Sequence, residues 1–341
     1  MNVLEPWVLL RLAAGLVAFL LFARGALTAQ NVLRRFDVAR ATEGQLALER
    51  QMELAATFVR VAAVVQVAAL ALSALASDRL SRGVRGAMCA YGVFNANEWG
   101  LRSLAMTATV ALFAGVLTQI FAFDARVKTF DMARPLAKLT LFMAPLSLVD
   151  LVLAGEYLLK LDLTVVASCC SVQLDPVAAG GTTYTSGPRV LATALAIGGT
   201  VLAIAAAVLA ARSPTRFRVV AAGVLSLLTL PAALAASILE VAPHAFEVPH
   251  HVCPFCLLRS DVLLLGYPLY GAVFLAVVWG VGAAASAVLA RSSASTDALR
   301  VFAKRRLMLG AFAWAFALVL GAVPVARFAL VSGGGSLLQA H

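Results

Sequence analysis

The chain has 341 residues, of which 62% are hydrophobic and only 13% are charged. Soluble domains carry about 25% charged residues, so this composition excludes a water-soluble fold and makes lipid the solvent for most of the surface. The formal net charge of +10 would suggest nucleic acid as a partner of a soluble protein. Here the basic residues lie in short segments between apolar runs, where they orient a chain in a bilayer, so we expect no nucleic-acid partner.

Eight apolar runs are long enough to cross a bilayer, since a spanning helix needs about 20 mostly apolar residues. They cover residues 7–23, 54–76, 103–123, 136–159, 190–211, 219–239, 262–290 and 307–331. The seventh run is long for one span and contains Pro268, so we expect it to tilt or to begin as an interfacial helix. The sequence therefore predicts an all-α, polytopic transmembrane helix bundle, with residues 1–341 forming a single integral membrane domain.

The segments that connect the apolar runs alternate between the two sides of the membrane, and basic residues are unequally divided between these sides. One set of segments carries seventeen Arg and Lys residues, and the other carries six, with Arg102 at the edge of a run. The positive-inside rule assigns the first set to the cytoplasm and places both termini outside. The bias toward Ala, Arg, Val and Leu is typical of a GC-rich bacterium, so we expect a multi-pass protein of the cell inner membrane.

All five cysteines fall in segments assigned to the outside, and none lies in an apolar run, although free Cys is an ordinary apolar filler. His244 and a pair of adjacent histidines lie in the same outer segments. We therefore predict one site on the outer face of the bundle. Its candidate residues are Cys89, Cys169, Cys170, His250, His251, Cys253 and Cys256.

Soft-metal binding is the leading interpretation of this set, because thiolate and imidazole together suit Cu(I), Zn(II) or another thiophilic ion. The adjacent thiolates of Cys169 and Cys170 fit a closed tetrahedral zinc site poorly, which favours copper or another thiophilic ion. The protein would then deliver copper to, or sense it for, a periplasmic metalloprotein.

Thiol–disulfide exchange is the alternative, because Cys253-Pro254-Phe255-Cys256 is a C-x-x-C motif. Proline favours the first helical position, so we expect Cys253 at a helix N-terminus, where the dipole lowers the pKa of a thiol. Cys253 would attack, Cys256 would resolve, and Cys169-Cys170 would relay electrons to a quinone or to a thiol protein. The stretch Gly266–Tyr270 would line a quinone cleft or belong to the interfacial aromatic belt. Stapling disulfides with an unrelated function are a third interpretation, although five cysteines leave one over.

Two resemblances accompany these motifs. The set Cys89-Ala-Tyr-Gly-Val, Ser168-Cys-Cys, His250-His-x-Cys-Pro-Phe and Gly266-Tyr-Pro-Leu-Tyr resembles an uncharacterised family of bacterial multi-pass membrane proteins, which implies one shared site and no particular activity. The C-x-x-C at the outer end of a span is similar to that of vitamin K epoxide reductases and bacterial disulfide-forming membrane proteins. That resemblance implies exchange with loop cysteines, although those proteins are smaller four-helix bundles.

Ionisable residues inside apolar runs are costly and therefore need an explanation. Such intramembrane polar residues are Arg11, Asp150, Glu156 and Asp261. We expect Arg11 or Arg327 to pair with Asp150 or Asp261 and to fix helix packing. The alternative is an acidic pocket that passes cations or protons inward, but the inner halves of the runs are largely apolar, which favours binding or electron exchange over translocation.

Overall fold

A computed structural model of the chain describes residues 5–36, 42–87, 89–127, 130–162, 164, 186–249, 251–290 and 292–334. These residues are almost entirely helical, and eight of their helices are long and apolar enough to cross a membrane. Each of the eight predicted runs coincides with one of these helices. The predicted all-α, multi-pass fold is confirmed. The side that each terminus faces and the membrane that holds the protein stay predictions.

The α-helices are α1 (Pro6–Arg35), α2 (Glu43–Leu80), α3 (Ala90–Phe94), α4 (Gly100–Asp124), α5 (Ala133–Leu159), α6 (Ser186–Arg212), α7 (Arg216–Ala236), α8 (Ala242–Phe246), α9 (Gly266–Leu289) and α10 (Ser293–Val331). A π-helix, Ser237–Val241, joins α7 to α8, so that Arg216–Phe246 forms one long apolar rod. Phe130–Met132, Cys256–Leu258 and Ser260–Val262 are single 3₁₀ turns.

Contacts within the chain group into two compact units. Unit 1 comprises residues Met1–Arg85, Val93–Val165 and Ala285–Phe302, and unit 2 comprises Gly86–Gly92, Val166–Ala284 and Ala303–His341. The prediction that residues 1–341 form one integral membrane domain stays a prediction.

Unit 1 is built from four of the long helices. α1 packs against α2 and α5, and α4 packs against α2 and α5. α1 has 30 residues and α2 has 38, more than the roughly 20 that a bilayer requires, so both helices extend beyond their predicted runs. Large apolar side chains point outward, with Val64 70% exposed. Such a surface is stable only against lipid.

Unit 2 packs its helices through small residues. A Cβ atom at Gly223 in α7 would lie 2.4 Å from the Cβ of Ala284 and 2.7 Å from the carbonyl oxygen of Gly280, both in α9. This close approach of two helix backbones is how membrane helices gain van der Waals contact when lipid removes the hydrophobic driving force. The buried indole of Trp314 in α10 donates to the Ser226 hydroxyl of α7 at 2.9 Å, which ties a third helix to the pair.

The seventh long helix begins later than predicted. It starts at Gly266 and has 24 residues, whereas the apolar run begins at residue 262. Leu263 and Leu264 have φ values of 56° and 57°, a left-handed conformation that an α-helix cannot include. The predicted extra length is therefore a bend in the chain, and Pro268 falls in the first turn, where a helix tolerates proline.

Candidate metal centre

Three cysteines from two distant parts of the sequence meet in unit 2. The Sγ atoms of Cys89, Cys253 and Cys256 all lie within 4.8 Å of one another. The first two residues are 0% exposed and the third is 3% exposed. The Sγ atoms of Cys89 and Cys253 are 3.4 Å apart, well beyond the disulfide bond length of about 2.05 Å, so no disulfide joins this pair.

Cys89 lies at the start of the short helix α3. Its carbonyl oxygen accepts from the Gly92 N–H at 3.1 Å, which closes the first turn. The centroid of the Tyr91 ring in α3 lies 6.2 Å from that of Phe255, a residue that stands between the other two cysteines in the sequence. Phe246, like these two residues, packs against the buried cysteine cluster, so aromatic residues surround it.

Cys253 and Cys256 are held by a tight turn, and the prediction of a helix N-terminus at Cys253 is wrong. The Cys256–Leu258 segment is a single 3₁₀ turn, and α9 begins only at Gly266. The Tyr270 hydroxyl of α9 donates to the Pro254 carbonyl oxygen at 3.1 Å. A Cβ at Gly266 would lie 3.0 Å from the carbonyl oxygen of Leu257, so glycine lets α9 approach the turn closely.

His251 lies beside the cluster. Its ring stacks on Phe246, with centroids 4.1 Å apart. Its Nε2 atom is buried and has no hydrogen-bond partner among the described residues. Burial lowers the pKa of His251 below its usual value, the nearby Cys89 opposes this shift, and Arg259 adds to it. The His251 nitrogens do not join the three sulfurs within 4.8 Å of one another, so His251 is a neighbour of the cluster and not a member of it.

The other predicted site residues fall in different places. Cys169, Cys170 and His250 lie outside the described residues. His244 lies in α8, where its Nδ1 atom is 2.8 Å from the Glu240 carbonyl oxygen and its ring meets the ring of Phe328 edge-on. His244 therefore has partners of its own.

The arrangement of donors fits a soft ion. Metal–sulfur bonds of about 2.3 Å place two sulfurs on one ion at most about 4.6 Å apart, so this cluster needs little movement to close around a metal. Three thiolates are soft ligands of the kind that select Cu(I), zinc or iron–sulfur clusters. A closed zinc site takes four ligands, and the part of the chain that the structure describes brings only three cysteines together.

The polar residues predicted inside the spans divide into one buried network and several surface pairs. In unit 1, Arg11 pairs with Asp150 at 3.3 Å, and each side chain is 1% exposed; this predicted pairing is present. Glu156, near the end of α5, pairs with Lys160 one turn further along. Asp261 lies in a 3₁₀ turn before α9 and pairs with Arg259, so it lies outside the long helix and does not pair with either predicted arginine.

Sequence reasoning missed a second mostly buried ion pair, in unit 2. The Arg189 Nε donates to Glu240 Oε2 at 2.5 Å and its Nη2 donates to Glu240 Oε1 at 3.0 Å. The side chains are 13% and 14% exposed. The available signal was positional, because Arg189 directly precedes the fifth apolar run and Glu240 directly follows the sixth. Two consecutive antiparallel spans place those ends together.

Fold and site together define a class: the chain is a multi-pass membrane protein with a buried three-cysteine cluster that could bind a metal. Comparison of the sequence and structure with protein-family models, curated proteins and solved structures finds no match.

Proposed function

We propose that this protein binds a soft metal ion, Cu(I), at Cys89, Cys253 and Cys256, on the periplasmic side of a bacterial inner membrane. The convergence of the three sulfurs within 4.8 Å carries the proposal. Three thiolates satisfy a soft ion of low coordination number, whereas a tetrahedral zinc ion would require a fourth donor.

Burial of the sulfurs supports metal binding over exchange with a protein thiol. Cysteines that react with other proteins lie in partly exposed surroundings, because the attacking thiolate must reach its target. Cys89 and Cys253 are both 0% exposed. An ion held at such a site is kept away from water, and His251 would be an entry ligand beside the cluster and not a fourth donor to the bound ion.

The remaining parts of the proposal rest on the sequence. Cys169, Cys170 and His250 would act as entry ligands that pass the ion to the three buried sulfurs. The unequal distribution of Arg and Lys supports the periplasmic orientation, and a periplasmic metalloprotein would receive the ion. The four-motif set would mark a family of bacterial membrane proteins that share this site.

Thiol–disulfide exchange is the second candidate, favoured by one distance. The 3.4 Å separation of the Cys89 and Cys253 sulfurs allows a disulfide after a small movement. Two thiols would lose two protons and two electrons and form one S–S bond, and a membrane quinone would take up both to become a quinol. Cys256 or the Cys169-Cys170 pair would exchange with that disulfide in a later step.

One experiment separates the two candidates. The full-length protein is purified anaerobically, its metal content and free thiols are counted, and Cu(I) is titrated against a competing chelator. We expect one Cu(I) per chain, and Cys253→Ser should weaken binding by far more than tenfold, because even the loss of a residue that only supports a ligand costs about 10–100-fold. His244→Asn is the matched control and should bind as the parent does.

Two other outcomes would contradict the proposal. A metal-free protein whose thiol count rises on reduction, and which passes electrons to a quinone, would favour exchange. Zinc binding that is tighter than Cu(I) binding and is lost in His251→Asn would refute copper. If the protein with all five cysteines replaced by serine kept its cellular role, both candidates would fail.

A further inference from the structure

Unit 2 contains an apolar cavity that the cysteine cluster does not use. It has a volume of about 350 Å³ and lies between α6, α7, α9 and α10. Small and aliphatic side chains such as Ala233, Leu269, Val273 and Ala317 form most of its wall. Ligand sites are typically about 300–1,000 Å³, mostly apolar, and equipped with a few convergent polar groups, so the size and lining are those of a ligand site.

Four polar side chains are grouped in one part of the wall. They belong to Thr193, Ser237, Glu240 and Tyr270. Thr193 contacts Glu240 at 3.4 Å, and the hydroxyls of Ser237 and Tyr270 are also 3.4 Å apart. The cavity therefore has a polar end and an apolar body, and this distribution of polarity matches that of an amphipathic ligand.

The π-helix supplies an independent observation. Ser237–Val241 departs from α-helical hydrogen bonding between α7 and α8, and both Ser237 and Glu240 belong to it and line the cavity. Single-turn π segments are rare and occur frequently at functional sites, because the extra residue turns side chains that a regular helix would direct elsewhere.

Each hydroxyl proton at the polar end of the cavity is already donated to an acceptor within the protein. The Ser237 hydroxyl donates to the Leu234 carbonyl oxygen at 2.7 Å. The Tyr270 hydroxyl donates to Pro254, and the Thr193 hydroxyl donates to Glu240. Each hydroxyl has one proton and two lone pairs, so these groups can offer only acceptors to a ligand.

Three nitrogen-bearing side chains near the polar end already have partners: His244, whose Nδ1 lies 3.6 Å from Glu240 Oε1, Arg189 and Trp314. Arg189 directs its Nε and Nη2 donors at Glu240. The indole N–H of Trp314, another residue of the wall, donates to Ser226. A phosphate or carboxylate head would meet acceptors and the Glu240 carboxylate, whereas a hydroxyl head would find partners for its proton.

We propose that this cavity binds a neutral lipid with one apolar chain and a hydroxyl head. The chain lies along the apolar wall, and the head donates its proton to the hydroxyl oxygen of Ser237, whose own proton is given to Leu234. Lipid surrounds the helices, so such a molecule reaches the cavity from the bilayer. The proposal does not depend on the metal function of the cysteines.

Competitive photo-cross-linking tests the proposal on the full-length protein in lipid nanodiscs. The probe is hexadecanol carrying a diazirine near the end of its chain, and the competitors are hexadecanol, its methyl ether and palmitate. We expect cross-links to the cavity faces of α7 and α10. Hexadecanol should compete about five- to tenfold better than the ether, which corresponds to one hydrogen bond, and palmitate should compete least. Equal competition by alcohol and ether would overturn the proposal.

A pair of matched variants tests whether the probe binds inside the cavity. Ala317 is 5% exposed and lines the cavity, whereas Val319, two residues further along α10, is 60% exposed. Ala317→Phe should abolish the cross-link and Val319→Phe should keep it. If Ala317→Phe fails to fold, Ser237→Ala decides, because it should remove the preference for alcohol over ether and leave chain binding intact. Loss of the cross-link in Val319→Phe, or an unchanged preference in Ser237→Ala, contradicts the assignment.

Discussion

Replacing Asp150 by Asn should strongly destabilise unit 1. The carboxylate accepts from the Arg11 guanidinium through both oxygens at 3.3 Å, from the Thr107 hydroxyl, and from the Gln66 side-chain amide at 2.9 Å. Asn has no negative charge and only one acceptor oxygen. Arg11, which is 1% exposed, would be left as a buried and uncompensated cation.

The size of the effect follows from the geometry. Two unit charges 3.3 Å apart attract by about 5 kcal/mol at an effective dielectric constant of about 20. Breaking a buried ion pair by removing one partner costs about 3–5 kcal/mol in soluble proteins, and the two figures agree. We expect a loss of about 3–5 kcal/mol in the free energy of unfolding, measured by equilibrium unfolding in mixed micelles with increasing dodecyl sulfate.

A surface pair in the same unit provides the control. Arg102 and Glu98 are four residues apart, 62% and 66% exposed, and 3.4 Å from each other, so Glu98→Gln should cost only about 0.2–1 kcal/mol. The double variant Arg11→Met/Asp150→Leu should recover much of the loss, since it leaves no buried charge. If Asp150→Asn cost no more than Glu98→Gln, the reasoning about the buried pair would be refuted.

Two further predictions concern packing and orientation. Gly100→Ala should destabilise the start of α4, because the new Cβ would lie 2.1 Å from the Phe94 carbonyl oxygen. Gly155→Ala places its Cβ where nothing lies within 4 Å, so it should be neutral or stabilise by up to about 1 kcal/mol. Thermal unfolding in detergent compares the two variants. In a cysteine-free background, a membrane-impermeant maleimide added to intact spheroplasts should label Arg82→Cys and not Ser213→Cys. Labelling of Ser213→Cys alone would reverse the predicted orientation.

The number of spans could be predicted from the sequence because the thickness of the bilayer fixes the minimum length of an apolar run that can cross it. The helix ends could not, since hydropathy marks only the part of a helix that lies in lipid. α1 thus continues to Arg35, beyond the run that ends at residue 23. The start of α9 was misplaced because its left-handed leucines, Leu263 and Leu264, give no periodic signal.

The cysteine cluster was partly predictable and the cavity was not. Because the segments between apolar runs alternate between the two sides of the membrane, the sequence could place Cys89, Cys253 and Cys256 on the same side. The turn that holds the last two depends on contacts such as Tyr270 with Pro254, which pair residues far apart in sequence. The cavity depends on which alanines face one another, and a helix that is apolar on every side carries no periodicity that separates its lipid face from its protein face.

The sequence separation of the cysteines has a consequence for biogenesis. Cys89 and Cys253 are 164 residues apart, with α4, α5, α6 and the rod beginning with α7 between them. During synthesis from the N-terminus, Cys89 therefore enters the membrane long before its partners are translated. The cluster can form only after residue 256 has been translated, and until then Cys89 lacks the two cysteines that surround it in the folded protein.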